Sequence, residues 1–164
     1  MKRNIILVGM PGAGKSTVGV VLAKNKGYKF VDSDLVIQEQ EKRLLHEIIE
    51  QEGIDGFLAI ENRVNAGLEL NHSVIATGGS AVYGKEAMDH LGAIGTICYL
   101  KLSYEAIRDR LGDLNERGVT VREGQTLMDL YEERIPLYEK YADLIIDCEN
   151  KSIREIVSEI TKKC

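Results

Sequence analysis

Gly9-Met-Pro-Gly-Ala-Gly14-Lys15-Ser16 stands directly behind the apolar run Ile5-Ile6-Leu7-Val8 and matches the phosphate-binding pattern G-x-x-x-x-G-K-[ST] at every fixed position. Each residue type has a task in such a loop. Glycines let the backbone curl so that successive N–H groups point at phosphate oxygens. Lys15 supplies positive charge for the outer phosphates of a nucleotide, and the Ser16 hydroxyl suits Mg²⁺. A helix starting near Lys15 turns its positive end to the same anion. Candidate nucleotide contacts are therefore Gly9, Gly12, Ala13, Gly14, Lys15, Ser16 and Thr17. A dinucleotide fingerprint is excluded, because the third glycine it needs is replaced by Thr17.

Further polar groups could work with that loop. Asp32 and Asp34 are two carboxylates around one serine: one can act on Mg²⁺, usually through water, and the other can take a proton from an attacking hydroxyl. An Asp/Ser-rich start to a helix would use the same residues as a cap. Gly78-Gly79 lets backbone approach a ligand closely, with Ser80 next in the turn. Arg110 and Arg117 can stack on a purine or reach a transferring phosphate, and Arg122 competes for the second task. Arg134 offers a planar, two-pronged donor suited to a carboxylate.

Short apolar runs separated by amphipathic stretches must position these groups. Ile5–Val8, Phe30-Val31, Val74–Ala76, Thr96–Leu100 and Leu144–Ile146 predict five strands. Helices are expected from Lys15 to Lys26, around Leu44, Leu45, Ile48 and Ile49, and after a Ser152/Glu155 capping box. The alternation implies a three-layer α/β fold with a five-stranded parallel sheet. Ligands gather at the carboxyl ends of such strands, where the loop at 9–16, Asp32-Ser-Asp34 and Thr77–Ser80 all fall. The stretch 112–125, rich in Gly, Arg and Glu, lacks a periodic signal and is expected to form a mobile lid.

The 164 residues suit a single domain with a proper core. A net charge of −5 argues against nucleic acid as the main partner. Three widely spaced cysteines, with no C-x-x-C pair, favour reduced thiols over a disulfide framework or zinc site. No signal peptide or membrane-length apolar run is seen, so a cytoplasmic, membrane-free monomer is expected.

Taken together and in order, these residues resemble the shikimate kinase family, within the wider group of small-molecule P-loop kinases. The resemblance rests on Gly9–Ser16, Asp32-Ser33-Asp34, Gly53-Ile-Asp-Gly-Phe57 with Glu61, Val74 to Gly79, Arg110 with Arg117, and Arg134-Ile-Pro-Leu-Tyr138 followed by Ala142-Asp143. It implies ATP and Mg²⁺ as cofactors and a small hydroxy compound as phosphoryl acceptor. Asp32 with Ser16 takes the metal side, and Asp34 binds the acceptor hydroxyl as base. Arg110 meets adenine, Arg117 is the phosphate-facing lid arginine, and Gly78, Gly79, Ser80 and Arg134 contact the acceptor, with Arg134 gripping its carboxylate. Arg122 stays open as the alternative lid arginine, since Gly118-Val-Thr replaces the family's proline and leucines.

Two departures bear on the acceptor. The family's second carboxylate-anchoring arginine is Leu58 here, and Arg63, five residues on, lies on another helix face. Glu61, which supports that anchor in the family, is left without it. The family's third glycine is Ser80. Phosphorylation of shikimate or a close relative is the leading reading. Alternatives are a kinase of a polyol, sugar acid or amino-acid alcohol, and a nucleotide-binding accessory domain. A GTPase is disfavoured, since Asp109-Arg-Leu-Gly112 falls late on a helix and no Asn-Lys-x-Asp motif occurs.

Overall fold

A computed structural model describes residues 3–112 and 122–164. The lid arginine candidate Arg117, and most of the lid predicted at 112–125, lie outside the described residues.

Five strands form a single all-parallel sheet in the order β2-β3-β1-β4-β5. They are β1 (Asn4–Val8), β2 (Lys29–Asp32), β3 (Ser73–Ala76), β4 (Gly95–Lys101) and β5 (Leu144–Asp147). All five residues of β1 are buried, although successive side chains point to opposite faces. Both faces of the sheet are therefore covered, as parallel sheets require. The cover comes from α1 (Lys15–Lys26), α2 (Ser33–Glu41), α3 (Leu45–Ala66), α4 (Lys85–Ile94), α5 (Tyr104–Leu111), α6 (Leu127–Tyr141) and α7 (Ile153–Lys163). Within it α1 packs on α7 and α3 on α4.

The strands extend past the apolar runs that announced them, because polar end residues are paired too. Asn4 is 3% exposed; its amide donates to the Leu70 and Ile94 carbonyls (2.9 and 3.0 Å) and accepts from the Ser73 N–H (3.0 Å). That side chain pins the start of β1 to both neighbouring segments. At the other end, the Thr77 hydroxyl donates to the Leu7 carbonyl at 2.8 Å, fixing the β3 exit beside the phosphate-binding loop. The Ser152/Glu155 capping box at the start of α7 forms as expected. Leu44 is the exception in its predicted set. It precedes α3 and is 50% exposed, so only Ile48 of that group is fully buried.

A second, smaller core of Ile37, Ile48, Phe57, Ile60 and Val64 joins α2 to α3. Helix α3 breaks its geometry at Gly53 (φ 75°, ψ 173°), a conformation glycine reaches without a Cβ penalty. The kink redirects the second half of α3, which carries Asp55, Phe57, Leu58 and Glu61.

Candidate active site

The loop between β1 and α1 has the conformation its sequence demands. Gly14, the residue before α1, sits at φ 94°, where any other residue is strained. The Arg110 guanidinium donates to the Gly12 carbonyl at 3.0 Å and so lies against the outside of the loop. Lys15 is only 8% exposed and its ammonium donates to the carbonyls of Gly9 and Met10. Burial, partly offset by Asp34, pulls its pKa down to about 8. Ser16 and Thr17 remain exposed on the first turn of α1.

Asp32 ends β2 and caps α2, its carboxylate accepting the N–H of Asp34 at 2.9 Å. The helix-cap and the metal readings of Asp32 are compatible, since one of its oxygens suffices for the cap. Asp34 enters the first turn of α2, so the two carboxylates are not extended in parallel but separated by a turn. Burial first, and then the neighbouring Asp32 charge, push the Asp34 pKa up to about 6 against the opposing pull of Lys15. A carboxylate held near that value is matched to proton acceptance at neutral pH.

These groups line one cleft of about 310 Å³ that holds Gly12, Gly14, Lys15, Ser16, Thr17, Asp32, Asp34, Gly78, Gly79, Ser80 and Arg134. Phe57 and Leu45 add its apolar wall. Gly9 and Ala13 lie in the loop, where Gly9 serves through its carbonyl and buried Ala13 packs into the main core. Ser16 and Asp32 offer only oxygen donors, and no cluster of three His, Cys, Asp or Glu gathers among the described residues. Such a sparse, hard donor set fits Mg²⁺, which keeps several waters and shares its ligands with substrate phosphates.

Arg134 is the largest fully buried side chain among the described residues, at 1% exposure, so it is not a surface residue. Its Nε donates to the Tyr83 hydroxyl at 3.3 Å, and its guanidinium lies 5.4 Å from the Tyr83 ring centre. Gly79 is needed for that placement: a Cβ there would stand 2.8 Å from Arg134 Nη1 and from Pro11 Cδ. The Tyr138 hydroxyl in turn donates to the Gly79 carbonyl at 2.6 Å. Tyr83 and Tyr138 were not predicted as site residues, and their contacts with the site span 51 and 59 residues.

Of the two departures from the family, Ser80 reaches Glu61 and Leu58 lies elsewhere. The Ser80 hydroxyl donates to Glu61 Oε1 at 2.7 Å, so Glu61 has gained a partner that the sequence did not reveal. Ser80 itself has φ −92°, which a serine adopts freely. Glu61 is 2% exposed, its Oε2 has no hydrogen-bond partner among the described residues, and burial pushes its pKa up to about 7. Leu58 lines a different, smaller cavity behind Arg134. Arg63 is exposed and paired with Glu41 at 2.7 Å, as its helix position implied. Arg122 pairs with Asp55 at 2.6 Å and lines the same small cavity as Leu58.

A family model described as shikimate kinase matches residues 11–164. The chain is 38% identical to a shikimate kinase of Haemophilus influenzae, over 97% of this chain and 91% of that one. Its identity to one from Vibrio parahaemolyticus is 37%, over 98% and 95%. Among solved structures it is similar to "Shikimate kinase from Acinetobacter baumannii in complex with shikimate", with TM-score 0.89, 33% identity and coverage of 99% and 93%. It is also similar to the Aquifex aeolicus shikimate kinase, with TM-score 0.82, 31% identity and coverage of 97% and 94%. With the phosphate-binding loop, the paired aspartates and the buried arginine gathered in one cleft, this chain belongs to the shikimate kinase family.

Proposed function

We propose that this chain is an ATP-dependent kinase that phosphorylates a hydroxyl of shikimate or a closely related small hydroxy compound. The observation that carries the reading is the convergence of Lys15, Asp34 and Arg134 on one cleft in a chain of this family. Loop N–H groups and the Lys15 ammonium hold the outer phosphates, with Lys15 leaving the Gly9 and Met10 carbonyls to do so. Ser16 and Asp32 would hold Mg²⁺, which supplies charge neutralisation on those phosphates when bound. Arg134 grips the acceptor carboxylate, and Gly78, Gly79 and Ser80 form the wall beside it. Asp34 aligns the acceptor hydroxyl and takes its proton as the new O–P bond forms and the bond to ADP breaks. Arg110 is assigned to adenine and Arg117 to the transferring phosphate.

We also propose a monomer of the cytoplasm acting on small molecules. The net charge of −5 supports a partner other than nucleic acid. No helix among the described residues is long and apolar enough to cross a membrane.

A second acceptor is favoured by one observation, the apolar Leu58 together with the Ser80–Glu61 bond. A panel of shikimate, polyols, sugar acids and amino-acid alcohols, assayed with ATP and Mg²⁺, separates the readings. Efficient shikimate turnover is expected. Preference for another acceptor would establish the second reading, and ATP binding without transfer to any would make the chain an accessory domain.

The pH profile of kcat/KM for ATP is expected to be a bell. Asp34 acts ionised, so the rate falls as pH drops below about 6. Lys15 acts protonated, so it falls again as pH rises above about 8. In kcat the upper limb moves to higher pH, because bound phosphates favour the ammonium. A profile flat from pH 5 to 7 would remove Asp34 from the base role.

A further inference from the structure

Behind Arg134 lies a second cavity of about 80 Å³, bordered by Leu58 and Ile54 of α3, Tyr83, Leu130 and the guanidinium-bearing side chains of Arg122 and Arg134. Arg134 lines both this cavity and the main cleft, so one side chain borders the two spaces. A space of this size equals two or three waters at roughly 30 Å³ each, or one carboxylate group. Among the described residues its charged lining comprises two guanidiniums against one carboxylate, that of Glu133, which also accepts from Gln125 at 2.6 Å. Leucine at position 58 donates nothing to whatever enters.

Arg122 reaches this place from the chain after residue 121 and is tethered there. Its backbone N–H donates to Gln125 Oε1 at 3.2 Å, and its Nη2 donates to Asp55 at 2.6 Å, one turn before Leu58 on α3. The Asp55 partner is 83% exposed, so that ion pair is weak and steers the guanidinium more than it occupies it. Guanidinium carries five N–H donors in a fixed fork, and Asp55 takes one. No residue of the phosphate-binding loop borders the cavity.

We propose that Arg122 is the second cation of the acceptor site, forming with Arg134 a two-guanidinium clamp for the carboxylate of a hydroxy acid. This rests on the kinase reading above and deepens it. Arg122 determines acceptor specificity: it selects acids over their neutral analogues, from the wall facing Leu58 and away from the phosphates.

The test is steady-state kinetics of wild type, Arg122→Gln and Arg122→Lys with shikimate and its methyl ester, varying acceptor and ATP separately. Arg63→Gln, an exposed arginine paired to Glu41, serves as control. Arg122→Gln is expected to raise the KM for shikimate about ten- to a hundred-fold, the value of a lost charge-assisted pair. The KM for ATP should stay within about threefold, Arg122→Lys should fall between, and the ester should lose little on mutation. Leu58→Arg in the Arg122→Gln background should recover part of the loss. An unchanged shikimate KM, an equal loss for acid and ester, or a rise confined to the ATP KM would overturn the clamp while leaving the kinase reading in place. Should wild type phosphorylate no acceptor, the kinase reading fails by itself. Calorimetric titration of shikimate then decides the clamp: weaker binding to Arg122→Gln than to wild type supports it, and equal or absent binding overturns it.

Discussion

Asp34→Asn is expected to lower kcat by about 10²–10⁴, the usual contribution of a positioned general base. Asparagine keeps the shape and can still meet the acceptor hydroxyl, but it cannot take the proton. Nucleotide affinity should stay within about threefold, since Asp34 sits at the start of α2 and the phosphates are held by the loop and Lys15. The fold should not suffer. Burial and Asp32 raise the folded pKa of Asp34 above its ordinary 3.8 to about 6, so the folded protein holds a proton that the unfolded chain releases. Stability therefore drains away as pH rises through that window, and above about pH 6 the ionised carboxylate is a standing cost. The neutral asparagine removes that cost, so unliganded Asp34→Asn should melt at or above the wild-type temperature at pH 8. A variant that turns over at the wild-type rate would show that the base lies elsewhere; one that unfolds would show that the carboxylate is structural.

Lys15→Met is expected to lose about 10²–10³ in kcat, in line with removal of one preorganised donor from a developing charge. It should also weaken ATP binding, which Asp34→Asn does not, and that contrast separates the two roles. The lysine is placed for a partner it meets only when nucleotide arrives. Its ammonium is buried against two loop carbonyls, with its pKa pulled down from 10.5 to about 8. A depressed lysine binds fewer protons folded than unfolded, so its stability cost is full below about pH 8 and fades as pH rises toward 10.5. Phosphate binding relieves the same cost, which ties nucleotide affinity to this side chain. Equal ATP affinity in wild type and Lys15→Met, measured by calorimetry, would contradict the assignment.

Local signals carried much of this architecture. An apolar β1, glycines at fixed spacing and the Lys15 helix start are written in the stretch from Asn4 to Ser16, and the α7 capping box in four residues. Every predicted strand formed, and so did helix α1 with the predicted ends. Pairings set by topology were not legible. Ser80 and Glu61 lie 19 residues apart and meet only because α3 and the turn after β3 pack together. Arg122 and Asp55 are 67 residues apart, and no periodicity relates them. The strand ends were underestimated for a similar reason: Asn4 is polar, yet buried, because three hydrogen bonds satisfy its side chain. Arg134 is read from the sequence as a donor for a carboxylate, but its burial and its Tyr83 partner, 51 residues away, are not written in the residues around it. In each case hydropathy along the chain is blind to partners contributed from elsewhere.

Phosphoryl transfer from ATP to the hydroxyl of a small acid held by Arg134 is the reaction this site is built for. Its most direct test follows ³¹P signals in one tube holding the protein, Mg²⁺, ATP and shikimate. Growth of a shikimate phosphate resonance in step with ADP, absent when Asp34→Asn replaces the wild type, is the predicted result. ATP that stays intact, or is hydrolysed to free phosphate while shikimate remains unmodified, would contradict it.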